Sequence, residues 1–145
     1  MLACLAQDKD EDTRKQALEK FGTLLTSAHD NPNVRNAVFF TLRHISRRSY
    51  IDKPNLALQK LMELAKNNNE NIRNGAFEQL KALSENNNEN IRNGAFKQLK
   101  ALSKNSNENV QNKAFMTLFE LAQSLISNRF ISILNLINGF IKIFT

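Results

Sequence analysis

The sequence predicts an all-α protein, an α-solenoid of about six to seven stacked antiparallel helices, from three observations. Residues 67–85, NNNENIRNGAFEQLKALSE, are followed at once by residues 86–104, NNNENIRNGAFKQLKALSK, a tandem copy in which only Glu78 against Lys97 and Glu85 against Lys104 differ. A unit this short cannot bury its own apolar face and must stack on its neighbours. Within the unit the apolar residues fall at Ile72, Ala76, Phe77, Leu80 and Leu83, a stripe along one side of an α-helix where a strand would alternate. Two or three residues ahead of each stripe stands an Asp or Asn, at Asp10, Asn31, Asn69, Asn88 and Asn107, able to accept from the first free backbone N–H groups.

The first helix is expected over 11–27, where Thr13, Arg14, Ala17, Leu18, Phe21 and Leu24 match the repeat and the acids Asp8, Asp10, Glu11 and Asp12 suit the positive end of the helix dipole. The second, over 32–47, opens on Pro32, which tolerates the first turn because its missing N–H would be unpaired there. It carries Val34, Arg35, Phe39, Leu42 and Ile45 in register with Ile72, Arg73, Phe77, Leu80 and Leu83. The third, over 54–66, is the most diverged copy: it opens on Pro54 and keeps only Ala57, Leu58, Leu61 and Leu64. The fourth and fifth, over 70–84 and 89–103, are the tandem pair. The sixth, over 108–127, sets Val110, Ala114, Phe115, Leu118 and Leu121 on the same frame.

Connections of about four to six residues make successive helices reverse direction. Gly75 and Gly94, inside their helices, predict close approach of a neighbouring helix. If the outer faces of the tandem helices adjoin, Glu78 and Glu85 meet Lys97 and Lys104.

The chain reads as a single domain over 1–145, with repeats over about 10–127 and an apolar C-terminal capping helix over 128–145. The segment 125–145 has Arg129 and Lys142 as its only charges, and self-association through it is the alternative to a cap. No membrane span is expected: the uncharged run between those two charges is about 12 residues, includes Ser132, Asn135 and Asn138, and falls short of the roughly 20 a span requires.

The pattern of cap, branched residue, Arg or Gln, Ala and leucines resembles the HEAT and armadillo superfamily of helical repeats. It reads NPNVRNAVFFTLRHI at 31–45, NENIRNGAFEQL at 69–80 and again, with Lys97, at 88–99, and NENVQNKAFMTLFELA at 107–122. The resemblance implies scaffolding, and bonds between a cap acid and a helix arginine of adjacent units. This chain departs from the family in that nearly every consecutive helix carries the signature, so the period is half the usual one. Its caps after Asp10 are amides and Gln111 replaces the arginine, so uncharged hydrogen bonds to Arg35, Arg73 and Arg92 are expected.

The lone Cys4 excludes an internal disulfide and, with only His29 and His44, a Cys/His metal site; it fits a reducing, cytoplasmic location. Met1 to Ala6 lacks the basic flank of a signal peptide. No phosphate loop, dinucleotide fingerprint or nucleophile elbow is present, so neither an enzyme nor a cofactor is expected. The net charge of +6 is the remaining functional lead. Arg43, Arg47 and Arg48, with Lys81 two periods on, form a candidate basic partner-binding surface, and Lys97, Lys100 and Lys104 form a second cluster. The expected function is a non-catalytic scaffold that binds another protein; the alternative is nucleic-acid binding through a basic ridge. One Tyr, no Trp and phenylalanines at core positions leave little for base stacking.

Overall fold

Asparagine-rich loops start the helices with a repeated lock. In the loop before Ile72, Asn67 Oδ1 accepts the backbone N–H of Asn69 at 2.8 Å, and Asn69 Oδ1 accepts those of Asn71 and Ile72 at 3.0 and 3.2 Å. The Arg73 guanidinium then donates to the carbonyls of Asn67 and Asn68 at 3.0 and 3.2 Å. Orphan donors at the helix start and loop carbonyls just before it are satisfied together. The lock recurs through Asn86, Asn88 and Arg92, and in acidic form through Asp8, Asp10 and Arg14. Asn31 caps in the same way, with Arg35 donating to the His29 carbonyl, and Asn107 caps the last repeat, where Gln111 stands for the arginine. The arginines therefore do not bond to the amide cap of an adjacent unit, as expected; each donates to backbone carbonyls of its own loop. Arg73→Gln is expected to lower stability by about 1–2 kcal/mol, the loss of charge-assisted bonds to the half-buried Asn67 carbonyl and the exposed Asn68 carbonyl, read as a shift in urea midpoint at constant slope.

In the computed structural model, residues 1–47 and 55–144 are described. They form seven helices: α1 Leu2–Leu5, α2 Glu11–Ser27, α3 Pro32–Arg47, α4 Leu56–Leu64, α5 Glu70–Ser84, α6 Glu89–Leu102 and α7 Glu108–Phe144. The protein is all-helical over this range. Pro32 opens α3 as expected; Pro54 lies outside the described residues, and Asn55 caps α4 by accepting from Leu58 N–H at 2.9 Å.

Each helix from α2 onward packs on the next and on the next but one, so that α2, α4 and α6 lie side by side, as do α3, α5 and α7. The tandem copies α5 and α6 thus occupy different layers with one sequence. Their common stripe faces the shared core: Ile72, Ala76, Leu80 and Leu83 are buried, and so are Ile91, Ala95, Leu99 and Leu102. The glycines mark approach within a layer. A Cβ on Gly75 would run into the Phe39 ring of α3, and one on Gly94 would lie 3.0 Å from Leu58 Cδ2 of α4. Glu78 and Glu85 do not pair with Lys97 and Lys104 among the described residues, because helices in opposite layers share their core faces and turn their outer faces apart.

The phenylalanine five residues after the branched position reports what lies beyond each helix. Phe39 and Phe77 are 3% and 1% exposed, Phe96 is half-buried, and Phe115 is 54% exposed. α3 and α5 each have a later helix in their layer, whereas α6 and α7 end theirs. Among the described residues nothing covers the C-terminal edge of the stack.

Two features stand outside the repeat pattern. α4 carries a buried lysine: Lys60, its side chain 5% exposed, extends past Gly22 of α2 to reach Glu19 at 2.8 Å and Glu63 at 3.0 Å, both carboxylates standing in solvent. The stem packs while the ammonium stays paired. Second, no break separates the sixth repeat from the tail. The segment 122–138 contains neither proline nor glycine, so the α7 ladder continues unbroken and the tail prolongs the last helix instead of turning back as a separate cap.

Candidate protein-binding groove

Between α3 and α5 the missing side chain of Gly75 leaves a groove of about 220 Å³, lined by Asn36, Phe39, Phe40, Arg43, Gly75, Glu78 and Gln79. Phe39 forms its buried floor, and Phe40 stands on the rim 61% exposed. The Arg43 guanidinium lies 5.7 Å above the Phe40 ring centroid, and the His44 ring is stacked with Phe40 at 6.4 Å between centroids and a 12° interplanar angle. A cation over an aromatic face at this distance is attractive and holds both groups in place. The site therefore offers an aromatic platform, a held cation, the Glu78 carboxylate and the amides of Asn36 and Gln79. At about 220 Å³ it is smaller than the ~300–1,000 Å³ typical of small-molecule pockets.

Phe40 was not legible as a site residue. A signal was present nonetheless: its repeat position carries charge in the tandem copies, Glu78 in α5 and Lys97 in α6, so a phenylalanine there sets an apolar ring where those two helices face solvent.

The four predicted basic residues divide. Arg43 is half-buried in the groove and Arg47 is exposed one turn on, at the end of α3; Arg48 lies outside the described residues. Lys81 turns toward α7, where its ammonium donates to Glu120 Oε2 at 2.6 Å. Between Arg43 and Lys81 the groove is lined by an acid, Glu78. Lys97, Lys100 and Lys104 are exposed.

The bond to Glu120 raises the Lys81 pKa above its ordinary value, and the same bond lowers that of Glu120. The backbone N–H of Thr13 likewise lowers Asp10 at the cap of α2. A lowered carboxyl contributes stability above its unfolded pKa and loses it as pH falls through the folded one, whereas raised Lys81 contributes below its unfolded pKa, near 10.5, and loses it at higher pH. Stability is therefore expected to be level between neutral and mildly acidic pH and to fall below the ordinary carboxylate range. Asp10→Asn keeps a cap without the titration, so urea midpoints at neutral and acid pH should differ less in that variant than in the parent.

Among the described residues no group of three His, Cys, Asp or Glu side chains is placed to hold a metal ion, and no helix is long and apolar enough to cross a membrane. No family model matches the chain, and no curated protein matches it.

Proposed function

We propose that the chain is a non-catalytic helical-repeat scaffold, a solenoid of HEAT or armadillo type, that holds a segment of another protein in the groove between α3 and α5. The observation that carries this reading is the groove's chemistry: an exposed aromatic ring, fixed by Arg43 and His44, beside the carboxylate of Glu78. Aromatic and arginine side chains are the groups that anchor protein interfaces, and mixed charge on the rim suits a polypeptide better than a polyanion. The packing of each helix on the next and the next but one supports the solenoid, as does the occupation of both layers by one repeated sequence.

The nucleic-acid reading is the weaker of the two. Its ridge needs Lys81 free beside Arg43, but Lys81 is neutralised by Glu120 and an acid lies in the groove between them. A cytoplasmic location follows from cysteine usage alone and belongs to the same proposal.

Selection of displayed peptides on the immobilised chain tests the proposal. The expected result is a family of related sequences whose binding drops at least about tenfold with Phe40→Ala and with Arg43→Ala. Peptides that bind both variants as tightly as the parent would place the interaction elsewhere.

A further inference from the structure

Among its described residues α7 has a covered apolar face and an uncovered one. Val110, Ala114 and Leu121 are buried against α5 and α6. On another face Phe115, Phe119, Ala122 and Ile126 follow one another at steps of four, three and four residues, with Phe130 one turn further. This is the spacing of a coiled-coil seam. Phe115, Met116, Phe119, Ile126 and Phe130 are 54–69% exposed. α5, the neighbour of α7 in its layer, ends at Ser84, the repeat position of Ala122 in α7. From Ala122 to Ser132 every residue but half-buried Ser124 is exposed. The helix therefore projects beyond the body as a single rod, although an isolated helix is marginal in water.

We propose that this uncovered face is a homodimer interface, on which a second copy of the chain lays its own α7 antiparallel. Charge sets the direction. The seam begins at Glu108 and Asn112 and reaches Arg129 at its far end. A parallel pair opposes Arg129 to Arg129 and Glu108 to Glu108, while an antiparallel pair brings Arg129 of each copy to the Glu108 and Asn112 end of the other. In that register Phe119 lies over Ala122 of the second copy, a large ring over the smallest residue of the seam, and Phe115 over Ile126. Area sets the occupant. The five exposed side chains present roughly 600 Å² per copy, before any contribution beyond Ser132, against ~800 Å² per partner in a standard interface. The interface uses a different face from the α3–α5 groove, so it stands or falls independently of peptide binding there.

Sedimentation equilibrium of the full chain up to about 100 µM tests the proposal, concentration-dependent association being the signature of a dimer. The expected mass is twice the 16.6 kDa of one chain. Phe119→Glu with Ile126→Glu, at positions exposed within one chain, is expected to give a monomer with unchanged helicity by circular dichroism. Arg129→Glu alone should weaken the dimer about tenfold or more, and adding Glu108→Arg should restore it. A monomeric parent chain overturns the proposal, whether or not it adsorbs to anionic lipid vesicles. So does an open-ended series of larger species, or a dimer that survives the double glutamate change. A dimer indifferent to Arg129→Glu overturns the antiparallel arrangement.

Discussion

Phe77→Ala is expected to destabilise the protein by about 3–5 kcal/mol, while Phe115→Ala, at the same repeat position, changes stability by no more than about 0.5 kcal/mol. Phe77 is 1% exposed in a helix flanked by α3 and α7, so its removal deletes a large apolar group and leaves a cavity that the surrounding layers cannot fully close. Phe115 is 54% exposed at the end of its layer, where nothing collapses when it is lost. Phe96→Ala falls between them. The series separates the repeat's sequence from its surroundings, because residue type and local motif are constant and only the following helix differs. Urea unfolding on dilute protein, below the concentration at which α7 would associate, measures it. Equal losses at Phe77 and Phe115 would show that the edge after α7 is covered within the monomer.

The second large effect concerns the two central glycines. In the helix interior Gly→Ala gains about 1 kcal/mol from propensity, so both changes would stabilise if nothing approached. At Gly75 the new methyl meets the Phe39 ring, 2.8 Å from Cδ2, and the ring is itself buried. Overpacking of this kind costs about 1–3 kcal/mol and distorts the floor of the groove, so Gly75→Ala is expected to be net destabilising and to weaken any peptide held there. At Gly94 the nearest atom is the terminal Leu58 Cδ2 at 3.0 Å, which a small rotation can move aside. Gly94→Ala should lie between no change and a gain of about 1 kcal/mol. Opposite responses from two glycines in identical local sequence, RNGAF, would follow from their different layers.

Much of the fold was legible because it is local. Caps, stripe spacing and loop length are read within one unit, and the helix starts at Asp10, Asn31, Asn69, Asn88 and Asn107 follow directly from side-chain oxygens that accept early N–H groups. The close approach at Gly75 and Gly94 was legible for the same reason, since a glycine inside a helix has few other uses.

What escaped depends on relations between units. Repetition does not say whether two copies lie face to face or layer by layer, so the pairing of Glu78 and Glu85 with Lys97 and Lys104 hung on whether their outer faces adjoin, and the structure instead joins Lys81 to Glu120. The burial of Lys60 was hidden by its place in the diverged copy, and only the adjacent Gly22 and Glu19 explain it. The continuity of α7 was obscured by the change in composition after Leu125; a shift toward Ile and Phe alters what a helix packs against, but it does not end the helix. The candidate groove was invisible for a related reason. Phe40 belongs to one helix and Gly75 to another, 35 positions apart, and neither alone marks a site.

Titration of the purified chain with generic duplex and single-stranded nucleic acid across a salt series most directly tests the claim that it binds protein rather than polyanions. With Lys81 held by Glu120 and Glu78 in the groove, binding is expected to be no tighter than about 100 µM at physiological salt, the weak end of non-specific contact. Micromolar binding that falls steeply with salt, and is lost when Arg43 and Arg47 are replaced by alanine, would contradict it.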